Sequence, residues 1–165
     1  ILRNWKAPKL PAALYAWACA ATGPLVGGEG WYESEPWEAR QGLADWWDIR
    51  SGEDAAATVS ELLRGPVTAW SRVRAIHVAI AACRCELLGP EWTWQAVLHA
   101  ARELQQSYPS FDAIASDYLR ARREWARLPV DGTADDAQQR GCVARVAALQ
   151  KRRWDGVPFD AFLHV

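Results

Sequence analysis

Apolar residues that recur every three or four positions, broken by Gly-Pro pairs, constrain this chain more than any other feature. Between Thr68 and Leu88, the residues Val73, Ile76, Ile80, Cys83 and Leu87 make such a stripe. That is the period of one helix face, not the two-residue alternation of a strand. Trp94, Val97, Leu98, Ala101 and Leu104 repeat it, and Phe111, Ile114, Ala115, Tyr118, Arg122 and Trp125 repeat it again. No segment of useful length alternates. The punctuation agrees: Ser51, Thr68 and Ser110 are good N-caps, with Glu53 and Asp54 in the first turn after Ser51. Gly23-Pro24, Gly65-Pro66, Gly89-Pro90 and Pro129 stop helices. The pattern predicts helices over 11–21, within 31–42, and over 51–64, 68–88, 91–107, 110–127 and 135–153. Gly27-Gly28-Glu29-Gly30 and Asp131-Gly132-Thr133 read as loops, and the tail turns after Trp154 before a final apolar patch at Phe162-Leu163. The expected fold is all-α, one domain over 1–165, an irregular bundle of about six to seven helices.

A chain of 165 residues suits one domain. It holds eleven tryptophans and no methionine. Trp carries a large apolar body and one N–H that needs a partner when buried, and it is a favoured interface anchor. The excess therefore builds either an aromatic core or an adhesive surface. A net charge of −1 supplies no bulk field for nucleic acid or anionic membrane, so neither is an expected partner.

Cys19, Cys83, Cys85 and Cys142 are too few for a disulfide scaffold and are expected as small buried thiols. On a helix, Cys83 and Cys85 point about 200° apart, which is poor for clamping one metal. No metal site and no cofactor is expected. Lys6 and Lys9 before the apolar run 10–21, with Ala18-Cys19-Ala20, outline a cleavable signal. Trp17 beside that site disfavours cleavage. An ordinary first helix and a cytoplasmic protein are the expectation, a cleaved N-terminal signal the alternative. The run is too short to span a bilayer.

No P-loop, dinucleotide turn, metalloprotease motif or nucleophile elbow is present, and no catalytic residue is assigned. Two groups of residues stand out. In the first, Arg122 falls inside the aromatic stripe and must stack, bond to carbonyls or pair with a carboxylate. Stacking on Tyr118 or Trp125 is the structural reading; an anion-binding Arg is the sharper one. Trp70, Arg74, His77 and Arg84 share a neighbouring face and could edge a cleft, which makes Arg74, His77, Tyr118 and Arg122 the candidate anion site. A His in such a place is more often a hydrogen-bonded core residue than a base, and His99 reads as solvated. The second group is Trp31, Tyr32, Glu33, Glu35, Trp37 and Glu38, in the loop-rich acidic stretch 27–47. An acidic aromatic surface would suit a basic protein partner. Trp46 and Trp47 fit the core equally well, whereas Trp5, Trp17, Trp47, Trp70, Trp94 and Trp125 read as scaffold.

These residues resemble the bacterial domain-of-unknown-function family 1266, which includes YbeU/YbeR-like proteins. The resemblance begins at Trp5 and continues through Trp47-Asp48-Ile49-Arg50-Ser51, similar to that family's W-G-I segment before a Ser-capped helix. It is strongest at Trp70-Ser71-Arg72-Val73-Arg74 and from Ser110-Phe111 through Tyr118, Arg122 and Trp125. Those segments resemble W-D-x-x-R and S-W-x-x-F…Y-L-x-G-R-x-x-W. Ser71 stands where the family usually has Asp, Asp48 where it has Gly, Pro66 where a G-H-R motif is typical, and Ala121 where Gly precedes the Arg. The resemblance implies an all-α domain with a Trp/Arg/Tyr framework and carries no settled activity. It also implies that Arg74 lacks its usual local carboxylate, a place Asp48 could take.

The leading functional expectation is a non-catalytic protein-binding domain, most concretely an immunity or accessory protein whose partner is a basic toxin domain. The alternative is an anion- or metabolite-binding protein, or an enzyme, with an Arg-lined cleft. That alternative requires a concave pocket with the Arg74 and Arg122 guanidiniums pointing in, and it fails if both are already satisfied by backbone or carboxylates.

Overall fold

A computed structural model describes residues 11–26, 32 and 34–163. Among these residues the structure is all-helical, with no strand. Eight α-helices run in order: α1 (Ala12–Ala21), α2 (Gly23–Val26), α3 (Pro36–Trp47), α4 (Gly52–Arg64), α5 (Ala69–Arg84), α6 (Pro90–Ser107), α7 (Phe111–Trp125) and α8 (Ala137–Lys151). A 3₁₀ turn, Arg153–Gly156, follows. The short α2 accounts for most of the excess over the six to seven helices expected.

The caps read from the sequence do their work. The Ser51 hydroxyl accepts from the Asp54 N–H at 3.1 Å while the Asp54 carboxylate accepts from the Ser51 N–H at 3.1 Å, so two of the orphan donors that begin α4 are satisfied reciprocally. Thr68 and Ser110 accept from the N–H groups of Ser71 and Ala113. α5 stops at Arg84, four residues earlier than the pattern predicts. Glu86 takes a left-handed conformation (φ 61) and the Leu87 N–H turns back to the Ala82 carbonyl at 2.9 Å, the kind of closure that ends a helix before its apolar stripe does.

α5 is the axis of the molecule. α3, α4, α6 and α7 all pack on it, and it is buried on nearly every side, from Val73 and Ile76 to Ala79, Ile80 and Ala82. Its alanines let neighbouring backbones approach closely, which lets one helix contact four others. A second centre lies where the C-terminal tail returns. The Trp17 ring meets Phe111 at 5.2 Å and Phe159 at 5.8 Å, and its N–H donates to the Phe159 carbonyl at 2.8 Å. Gln105 donates to the carbonyls of Phe159 and Ala161, and Arg102 to that of Leu163. The tail is thus stitched onto α1 and α6 by both rings and hydrogen bonds. Ala18, Cys19 and Ala20, the outline of a cleavage site, are buried within α1. All four cysteines are buried and free, as expected. No helix among the described residues is long and apolar enough to cross a membrane.

Candidate functional site

Four helices each turn one stripe toward a common cavity of about 710 Å³, within the range of small-ligand pockets. α5 contributes Trp70, Arg74 and His77; α7 contributes Tyr118, Arg122 and Trp125; α3 contributes Glu38, Gly42, Trp46 and Trp47; α8 contributes Gln138, Gly141, Cys142 and Arg145. Every set is spaced by three, four or one residue, so each lies on a single helix face. The four residues expected to form an anion cleft are therefore brought together. Arg84 is not among them: it is buried away from the cavity.

The three cleft arginines are held very differently. Arg122 is buried and does not stack as the structural reading expected. Its guanidinium donates to Asp136 (3.1 and 3.3 Å), Gln139 (3.0 Å) and Gln138 (2.7 Å), so its charge is answered by a carboxylate at the start of α8. Arg122 is therefore satisfied, but Arg74 is not, so the cleft keeps one of its two expected guanidiniums unanswered. The Arg74 guanidinium lies between the rings of Trp47 (4.7 Å) and Trp70 (4.5 Å) and makes no hydrogen bond or ion pair among the described residues. Asp48, the substitute carboxylate, pairs with Arg50 instead at 3.1 Å. Burial pushes the Arg74 pKa down: the charge has been taken from water and given only ring faces in return.

Arg145 completes the set and was missed in the sequence. Its guanidinium donates to the Pro24 carbonyl at 3.0 Å and to the Cys142 sulfur at 3.2 Å, with no carboxylate among the described residues. The spacing of Gln138, Gly141, Cys142 and Arg145 along α8 was the available signal.

Tyr118 sits at the focus. It is buried, stacks on Trp70 at 5.2 Å, and its hydroxyl makes no hydrogen bond among the described residues. Burial raises its pKa most strongly, while the charges of Arg74, Arg122 and Arg145 all act to lower it. The hydroxyl is thus a neutral donor in a positive field. His77 is buried, and desolvation first, then the Arg74 charge, hold its pKa down at about 4. It is neutral near pH 7 and leaves the positive field to the arginines.

The acidic aromatic stretch fares unevenly. Trp31 and Glu33 lie outside the described residues. Tyr32 is corrected: it is 2% exposed, with its hydroxyl 3.1 Å from the Thr22 hydroxyl and 3.4 Å from His77 Nδ1, so it belongs to the packing beneath the cleft and not to a surface. Glu35, Trp37 and Glu38 are exposed, and Glu38 accepts from the Glu35 N–H at 3.1 Å to start α3. Trp37 and Trp46 are nine residues apart, on opposite faces of α3, so they form no common patch. Trp46 at 73% exposed and Trp125 at 66% instead stand at the cavity mouth. For Trp125 this moves an expected scaffold ring to the rim, at the end of α7, where it still packs on Trp70 at 5.9 Å. Trp5 lies outside the described residues, while Trp17 and Trp94 are buried as expected.

The sequence profile of a family described as "Protein of unknown function (DUF1266)" matches residues 62–159. That span carries the α5, α7 and α8 walls of the cavity; α3 and the segments from Trp5 to Ser51 lie outside it. No curated protein and no solved structure gives a significant match. With more than half of its length matched, the chain belongs to the DUF1266 family of proteins of unknown function.

Proposed function

We propose that the cavity is the binding site of a small organic anion. The observation that carries this reading is Arg74: a half-buried guanidinium, held between two indoles, facing a cavity of about 710 Å³ with no counter-charge among the described residues. A partly desolvated, unpaired charge is costly to keep, and an incoming anion offsets that cost. The Tyr118 hydroxyl offers a hydrogen bond beside it, and the Arg145 guanidinium a second charge. Trp46, Trp47, Trp70 and Trp125 supply the apolar wall that most ligand sites combine with a few polar groups. Four buried free thiols suit a reducing compartment such as the cytoplasm. Thermal denaturation in a panel of paired ligands, benzoate against benzamide and phenyl phosphate against phenol, tests the reading at constant ionic strength. Anions raising Tm while their neutral partners do not is the expected result; equal shifts, or none with any anion, would overturn it.

A second reading rests on Trp37, 66% exposed on the face of α3 opposite Trp46 and away from the cavity, with exposed Glu35 beside it. An exposed indole beside an acid is the kind of anchor a basic protein partner would use, as in an immunity or accessory protein facing a toxin domain. Recovery of a specific partner that is lost with Trp37→Ala supports it; unchanged recovery removes it.

A further inference from the structure

The cavity is bounded by two glycines inside helices, Gly42 in α3 and Gly141 in α8. A glycine in a helix interior weakens the helix relative to alanine, so each needs a reason. A Cβ on Gly42 would meet nothing within 4 Å: packing does not demand glycine there, and the absent side chain is simply cavity space. A Cβ on Gly141 would come within 3.2 Å of Arg145 Nη1, so a side chain there would crowd the guanidinium that lies over α8. One glycine keeps the α3 wall open, and the other leaves room for a cation on the α8 wall.

The charge count defines the anion. Of the three cleft guanidiniums, Arg122 is neutralised by Asp136, which leaves Arg74 and Arg145 without carboxylates among the described residues. Glu38, the single acidic residue lining the cavity among the described residues, is exposed on the α3 wall, where solvent and salt screen its charge. A carboxylate brings one negative charge and would leave one guanidinium unanswered. A phosphate monoester carries about −1.5 to −2 at neutral pH and three acceptor oxygens, which matches two arginines and the donor of Tyr118. Arginine is also well shaped for phosphate. The exposed rings of Trp46 and Trp125 at the mouth offer faces for a flat ring to stack on.

Resting on the anion-site reading, we infer that the ligand is a phosphomonoester carried by a flat ring system, of which a nucleoside 5′-monophosphate is the simplest form. Its phosphate sits at Arg74, Arg145 and Tyr118, and its ring lies along the α3 wall in the space that Gly42 leaves.

Calorimetric titration of the protein with AMP, GMP, CMP and UMP, with the nucleosides, with inorganic phosphate and with benzoate tests this. At least one mononucleotide binds about tenfold or more tighter than its nucleoside and than inorganic phosphate. Arg145→Met removes most of the gap between that nucleotide and its nucleoside. Gly42→Ala raises Tm by roughly 2–4 °C, as a helix stabilised without a clash should, while weakening the nucleotide about tenfold. If benzoate binds through Arg74 and no mononucleotide does better, the phosphomonoester inference is overturned while the anion site stands. If no anion in the set binds, both fall. A Gly42→Ala protein that is more stable and binds the nucleotide unchanged would overturn the placement of the ring.

Discussion

Two arginines and a histidine show how much a residue's neighbours decide. Arg72 drew no attention in the sequence beyond its place in a motif, yet it is 2% exposed. It donates to Glu103 at 2.7 Å and to the carbonyls of Leu62, Gly65 and Pro66 at 2.9, 3.0 and 3.3 Å. It therefore closes the C-terminal end of α4 and ties it to α6. Those partners lie six to thirty-one positions away, beyond any local pattern. Arg72→Met should cost about 3–5 kcal/mol, since it strands Glu103 and three carbonyls; urea denaturation reads this, and a loss near zero would contradict the clamp. Arg122 was legible as an odd charge in an aromatic stripe. Its answer in Asp136 was not, because a loop separates the two helices. His77 has a pH signature. An unfolded His takes its proton near pH 6.5, but the folded one only near 4. Between those values the unfolded chain holds the extra proton, so stability is full above about pH 6.5 and falls as the pH drops toward 4, by up to about 3 kcal/mol. His77→Gln should flatten that part of the denaturation profile; an identical loss in the variant would mean other groups titrate there.

At the scale of elements, the caps and breakers were the most legible features, because they depend on chemistry within four residues. Ser110→Ala should cost about 1 kcal/mol through the lost hydrogen bond to the Ala113 N–H, seen as a Tm lower by roughly 2–4 °C; no shift would mean water replaces the cap. Two ends were set by tertiary context instead. α5 ends at Arg84 rather than Leu88, and left-handed Glu86 turns the chain before Gly89-Pro90. α8 leads into three consecutive left-handed residues, Arg153, Trp154 and Asp155 (φ 52, 54 and 54), a conformation costing about 1 kcal/mol or more each outside glycine. The buried Trp154 ring packs on Phe111 at 5.5 Å and holds that turn in place, which no local propensity predicts. α3 is the element whose role changed most. Expected as a short helix within 31–42 of a loop-rich acidic surface, it is a twelve-residue helix whose Glu38, Gly42 and Trp46 face lines the cavity, a role that its polar spacing concealed.

For the molecule as a whole, the all-α class followed from periodicity alone, whereas the cavity did not, because it exists only where four stripes meet. Its α5 and α7 walls were visible as aromatic-arginine ladders; its α8 and α3 walls were hidden behind glycines, which carry no pattern. The tryptophans divide the same way. Trp17, Trp94 and Trp154 are core, Trp47 and Trp70 sandwich a cation, and Trp46 and Trp125 rim the opening. The molecule thus keeps an unanswered charge and two weakened helices around one cavity, a trade of stability for a site. Calorimetric unfolding of the native protein and of Arg74→Met, each with and without phenyl phosphate, tests that claim most directly. The variant alone should be as stable as the native protein or more so, since it no longer holds a half-buried, unpaired charge, and it should lose the ligand's stabilisation. A variant that is strongly destabilised without ligand, yet still stabilised by it, would contradict the account.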